Sequence, residues 1–168
     1  MEDLPEYWLR GPVKNIPALL QPAAHALLQS VSEVKKYTAQ FPLGLINEKP
    51  AGRASVAFHL KHLTGVLDRM LAYAQKEPLS TQQLDYLKKE QIALKNEQIS
   101  PLIGAFEAKV DEALQYFQTI DPTTLTEERL VGRKHLPSTL LGLLFHAAEH
   151  SQRHVGQLLV TVSVLKNQ

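Results

Sequence analysis

Apolar residues recur every three or four positions over four long stretches of this chain, the period of a helix with one buried face. From Pro22 to about Ala39 the inner stripe is Leu20, Ala24, Leu27, Val31, Val34 and Thr38. A second helix starts with Ser55 in the N-cap position and runs to about Gln75. Its stripe is Val56, Leu60, Leu63, Leu67, Met70 and Ala74, broadened on one side by Val66 and Tyr73. Ser100-Pro101 opens a third helix, with serine as cap and proline in the first helical position. Ile103, Phe106, Val110, Ala113, Leu114, Phe117 and Ile120 form its core face. Pro137-Ser138 opens the last helix, which continues to about Val164 and spans roughly 40 Å.

The links between these stretches are long. Residues 1–15, with Pro5, Gly11 and Pro12, read as an irregular lead-in that packs by Tyr7 and Trp8. His25 lies nearly opposite the stripe of its helix and reads as a surface residue. Phe41-Pro42, Gly44, Pro50 and Gly52 mark a connecting loop. Ser80 and Gln83 make a capping-box pattern that opens a short helix, fading after Tyr86-Leu87. The charged run KKEQIALKNEQ that follows reads as a solvated face. Residues 121–136 have weak periodicity and are expected to be a loop with one helical turn at Glu127-Arg129. With few strand signals, four amphipathic helices predict an all-α four-helix bundle with long connecting loops, in one domain over residues 1–168.

Composition narrows the function. The 168 residues carry 18 Lys+Arg against 17 Asp+Glu, a formal charge of +1, with no dense basic run, so nucleic acid is not an expected partner. There is no cysteine, which excludes disulfides, thiolate metal sites and a cysteine nucleophile within the chain. If sulfur chemistry happens here, a small molecule brings the sulfur. The start, MEDLPEYW, is acidic where a signal peptide is basic, and no apolar run reaches the length of a membrane span. A soluble, cytoplasmic protein is expected. Neither a P-loop nor GxGxxG nor GxSxG occurs.

The remaining constellation is histidine. In HAAEHSQRHVGQ, His146, His150 and His154 recur every four residues, so each ring lies about 40° round and roughly 6 Å along from the one before. The row runs beside the stripe Leu140, Leu144, Ala148, Val155, Leu158 and Val162. Measured from Leu144, His154 is roughly 80° away, His150 roughly 120° and His146 roughly 160°. His150 and His154 therefore face the edge of a helical core, and His146 points furthest from it. An i, i+4 histidine pair is a helical metal half-site, but it is also compatible with hydrogen-bonded packing histidines. A third ligand decides between the two. FHLKH in the second helix offers His59 and His62, at roughly 60° and 120° from the stripe centre; periodicity alone slightly prefers His59 and leaves both open.

SVAFHLKHLTGVLDRML in the second helix and LLGLLFHAAEHSQRHVGQLL in the last resemble the DinB-like (DinB/YfiT-like) metalloenzyme family, and the likeness extends loosely over nearly the whole chain. The resemblance implies an up-down-down-up four-helix bundle. The family pattern, one histidine in the second helix and a late HxxxH usually within HxxxHRGQ, places metal ligands at His62, His150 and His154. Val155 stands where the family has arginine, so the resemblance assigns no role of that arginine to this chain. Three imidazoles form the open ligand set of a zinc site, although imidazole suits other metals as well. Zinc or nickel is expected foremost, with iron or manganese as alternatives. Gln157, His146, His59 and Glu149 are candidates to orient the ligating rings, Gln157 first among them. His135, in the loop before the last helix, either reaches the site or faces water.

The resemblance further implies a thiol-dependent S-transferase acting on a small molecule, with a divalent ion activating a low-molecular-weight thiol, or water in a hydrolase. The alternatives are a bundle that binds metal or ligand without turnover, and one whose histidines only pack. A cleft beside the metal with a proton donor such as Tyr73 or Glu149 would favour an enzyme. A homodimer is expected from family habit and from the frequency of twofold symmetry.

Overall fold

Five α-helices and one small β-hairpin make up the computed structural model, which describes residues 4–95 and 98–167. The expectations drawn on residues 1–3 and on the Asn96-Glu97 end of the charged run lie outside the described residues. The helices are α1 (Gln21–Thr38), α2 (Val56–Ala74), α3 (Thr81–Lys89), α4 (Ser100–Thr119) and α5 (Leu140–Lys166). The hairpin is β1 (Glu128–Val131) paired antiparallel with β2 (Leu136–Thr139). The chain is thus mostly helical with a two-stranded sheet. None of its helices, among the described residues, is long and apolar enough to cross a membrane.

The apolar stripes account for the packing. Helices α4 and α5 each pack against both α1 and α2. Leu27, Val34, Leu60, Leu67, Phe106, Phe117, Leu144 and Leu158 are among the residues that are fully buried in one continuous core. Helix α3 has no buried residue of its own and lies on α2. Ser55 caps α2 by accepting the Phe58 N–H at 3.1 Å, and the capping box at Ser80 and Gln83 is fully formed. At α4 the expectation needs correction: Ile99 occupies the cap without a side-chain bond, and Ser100 is already inside the helix.

Two segments differ from their sequence patterns. Glu127-Arg129 forms no helical turn. Glu128 to Val131 is a strand, and Pro137-Ser138 belongs to the second strand rather than to the start of α5. Four-residue strands are too short to establish a period of two, and the inward residue of β1 is Arg129, which is 6% exposed and polar. Its Nε donates to the Ala74 carbonyl at 2.7 Å, fastening the hairpin to the end of α2. Because the hairpin leads straight into α5, the C-terminal end of α2 and the N-terminal end of α5 share one end of the molecule. These two helices run antiparallel. The second difference is Trp8, which is 63% exposed instead of packed; Tyr7 is half-buried, with the Arg10 guanidinium 3.9 Å above its ring.

Helix α5 begins where the hairpin ends. Thr139 accepts the Gly142 N–H through its hydroxyl at 3.0 Å, while the Leu140 and Leu141 N–H groups donate to the carbonyls of Glu127 and Leu125. These bonds satisfy donors that a helix start leaves unpaired. Thr139→Ala is expected to cost about 1 kcal/mol of stability in urea unfolding. Ser138→Ala, two residues into the region the sequence marks as the helix start, is expected to stay within about 0.5 kcal/mol of the parent.

Candidate metal centre

The antiparallel seam between α2 and α5 pairs rising residue numbers on one helix with falling numbers on the other. His59 therefore meets His154, and His62 meets His150. His59 Nδ1 lies 3.1 Å from His154 Nδ1, and His62 Nε2 lies 3.0 Å from His150 Nε2. The ring centroids of His62 and His154 are 4.4 Å apart and those of His150 and His154 4.6 Å. His62, His150 and His154 thereby bring one ligand atom each to within 4.8 Å of one another. Buried His150 Nδ1 has no hydrogen-bond partner among the described residues. Phe58, one helical turn before His62, stacks on that ring at 14° and 5.1 Å.

A family model described as the DinB superfamily matches residues 12–158. The chain belongs to the DinB superfamily. No curated protein matches it.

Burial governs the charge of this DinB site. Loss of water lowers His59 to about 4, helped by the neighbouring His62. Loss of water also lowers His150 to about 4, with repulsion from His62, His146 and Arg153 outweighing the attraction of Glu149. His154 falls furthest, to about 3, from burial and then from His62, His150, His59 and Arg153. These rings are neutral at pH 7, the state in which an imidazole nitrogen offers a lone pair.

The remaining candidates occupy different places. His59, 2% exposed, is the deepest ring and bonds His154. His146 is the most open of the row; its Nδ1 lies 2.7 Å from Glu149 Oε1. Arg153 Nη2 donates to both oxygens of Glu149 at 2.6 Å. Burial raises the Glu149 carboxyl, but Arg153 and His146 overcome this and hold it below its usual range. His146, Glu149 and His150 also form a second group with ligand-atom spacing within 4.8 Å, yet its carboxylate is already engaged by a guanidinium.

Two expected members are not at the centre. Gln157 is exposed and hydrogen-bonds none of the rings. It shares an azimuth with His150 but lies seven residues on, about 10 Å along the axis. Tyr73 is eleven residues from His62, about 16 Å along α2. It lines a cleft of about 920 Å³ with Leu84, Leu130, Arg133 and His135, between the end of α2, the start of α3 and the hairpin. That cleft lies away from the His62, His150 and His154 cluster, at the far end of α2. His135 is exposed in the hairpin turn.

One residue at the centre comes from outside the histidine motifs. Glu90, at the C-terminal end of α3, is 3% exposed, which corrects the reading of its charged run as a solvated face. Its Oε2 lies 2.7 Å from His62 Nδ1 and its Oε1 accepts from Arg69 Nη1 at 2.6 Å. Lys61 is also buried, and its Nζ donates to the Lys89 and Ile92 carbonyls, tying the chain around Glu90 to α2.

Because the folded values of about 4, 4 and 3 lie below the ordinary 6.5, the unfolded chain binds protons that the folded chain refuses as pH falls below 6.5. The metal-free protein is therefore expected to have full stability from these rings above pH 6.5 and to lose it progressively toward pH 4. Urea midpoints of chelator-treated protein at pH 7, 6, 5 and 4 read this directly, and up to three protons contribute to the slope. A midpoint constant from pH 7 to 4 would contradict the neutral cluster.

Proposed function

We propose that this DinB protein binds one divalent ion through His62, His150 and His154 and acts as a metal-dependent transferase that uses a low-molecular-weight thiol on a small-molecule substrate. The observation that carries the reading is the convergence of three imidazoles, two of them held neutral by burial, at ligand spacing in one seam. Ring nitrogens 3.0 Å apart fit around a single ion with metal–nitrogen bonds of about 2.0–2.1 Å. The donor set suits zinc or nickel, and accepts iron or manganese. With three protein ligands the set leaves positions for substrate, unlike the four-ligand closure of structural zinc sites. We further propose the up-down-down-up four-helix bundle as the family arrangement of α1, α2, α4 and α5, a single domain over residues 1–168, and a cytoplasmic homodimer.

An ion held there supplies Lewis acidity that lowers the pKa of a bound thiol, or of water, toward neutrality. The chain itself contributes placement. His62 is fixed in plane by Phe58, and His154 has its inner nitrogen occupied by His59. Glu149 lies one residue before His150, clamped by Arg153, on the more open side of the row. No cysteine competes for the ion or for an electrophile. A hydrolase using the same ion with water in place of thiol is the alternative, and a thiol-dependence assay separates the two.

Metal analysis of untagged protein is expected to give one divalent ion per chain. His150→Ala or His154→Ala is expected to empty the site, while His146→Ala keeps most of the metal because its ring bonds Glu149 at the open end. Near-stoichiometric metal in His150→Ala would overturn the ligand assignment. Zinc- or nickel-loaded protein is then expected to consume a small electrophile only with added thiol, and equal turnover without thiol would favour the hydrolase.

A further inference from the structure

A neutral imidazole has one nitrogen that carries hydrogen and one that does not, and only the bare one binds a metal. For His62 the nitrogen facing the other helix is Nε2, 3.0 Å from His150 Nε2. Its other nitrogen faces a carboxylate oxygen of Glu90 at 2.7 Å. A carboxylate without a proton only accepts, so the contact requires hydrogen on Nδ1.

Glu90 is in turn prevented from moving. The Arg69 guanidinium takes its second oxygen at 2.6 Å, which arrests rotation of the carboxylate, and both charged side chains are buried. Tyr86, on the same helix α3, donates to the Lys61 carbonyl at 3.2 Å, and Lys61 grips the end of α3 from the opposite direction. Gly65 provides the room. A methyl group at that position would lie 2.2 Å from Glu90 Oε1 and 2.8 Å from both Arg69 Nη1 and the Tyr86 ring. The glycine, one turn from both His62 and Arg69, lets a carboxylate from another helix lie against the face of α2.

We propose that Glu90 is the positioning residue of His62: it holds the imidazole in the tautomer with hydrogen on Nδ1 and so presents Nε2 bare toward His150. This rests on the metal-binding reading for its purpose, though not for its geometry. Glu90 does not touch substrate or ion. It acts through the ring, as carboxylates do behind metal-bound histidines, where removal lowers metal affinity about 10–100-fold. Arg69 holds the carboxylate in place, and a burial this complete ties α3 to the centre.

The test uses the full chain, stripped of metal and labelled with ¹⁵N at histidine, with parent, Glu90→Gln and the double variant Glu90→Gln/Arg69→Gln. The double variant removes both buried charges, so no unpaired guanidinium is left if the single variant fails to fold. Nitrogen shifts report the tautomer of His62 without metal, and a zinc titration against a competing chelator reports affinity. Expected are an Nδ1-protonated His62 in the parent, a shift of population toward the Nε2-protonated form in whichever variants fold, and a zinc affinity lowered about 10–100-fold. A variant that keeps both the parent tautomer and the parent affinity overturns the proposal. A parent that binds no zinc overturns the metal reading instead, and the metal-free tautomer comparison still decides the role of Glu90.

Discussion

An imidazole that leaves water between two helices keeps two ring nitrogens that must each be satisfied, and an orphan costs about 1–3 kcal/mol. Four rings enter the seam between α2 and α5, and their partners are mostly one another: His59 with His154 and His62 with His150. Pairs of this kind hold only if the two helices keep antiparallel register, since a slip of one residue would turn the rings out of reach. Register in the seam is set by the apolar neighbours Leu60, Leu63, Leu144, Ala147 and Leu158, buried to 1% exposure or less. The polar cluster depends on the core for its placement, and the core leaves it little water. That is why His59, His150 and His154 are neutral, and neutrality leaves each a lone pair to offer.

Helix α3 solves a different problem. It buries none of its own residues, so an apolar face does not hold it. Its attachment is polar: Tyr86 and Lys61 exchange bonds with backbone carbonyls across the α2–α3 contact, and Glu90 lies between Arg69 and His62. A buried ion pair of this type is weak evidence for net stability, because desolvation offsets much of the attraction, yet breaking one partner is costly. Its value lies in specifying one arrangement of the end of α3 against α2.

The sequence showed the helices well because their stripes are long. Five turns of periodic leucine, valine and alanine in α2 and seven in α5 leave no other period to fit, and the late HxxxH follows from the same geometry. What it hid has local causes. Periodicity ranked His59 deeper than His62, and His59 is indeed 2% exposed, but depth does not identify the ring that faces His150. Glu90 is 28 residues from its histidine partner and sits in a run of lysines and glutamines on a helix without an apolar face. Nothing local distinguishes it from its solvated neighbours; the one trace is Gly65, a small residue inside a helix that has no conformational need for it. The hairpin was missed because its buried residue is arginine and its strands span four residues each.

Charge balance bears on what the proposed centre accepts. Three imidazoles bring no negative charge to a divalent ion, and Glu90, a buried carboxylate nearby, is already shared between a histidine N–H and a guanidinium. Glu149, the next nearest, is bound on both oxygens by Arg153. The protein therefore supplies almost no counter-charge to the seam, and the low surrounding dielectric makes that deficit matter more than it would in water. With an ion bound, that deficit would fall to a ligand entering from the open end of the histidine row. An anion, such as a thiolate or hydroxide formed by loss of a proton, meets it, and a neutral ligand does not. On the function proposed above, a donor set of three imidazoles without a carboxylate suits an acidic cosubstrate, and the chain brings no cysteine of its own to compete with it.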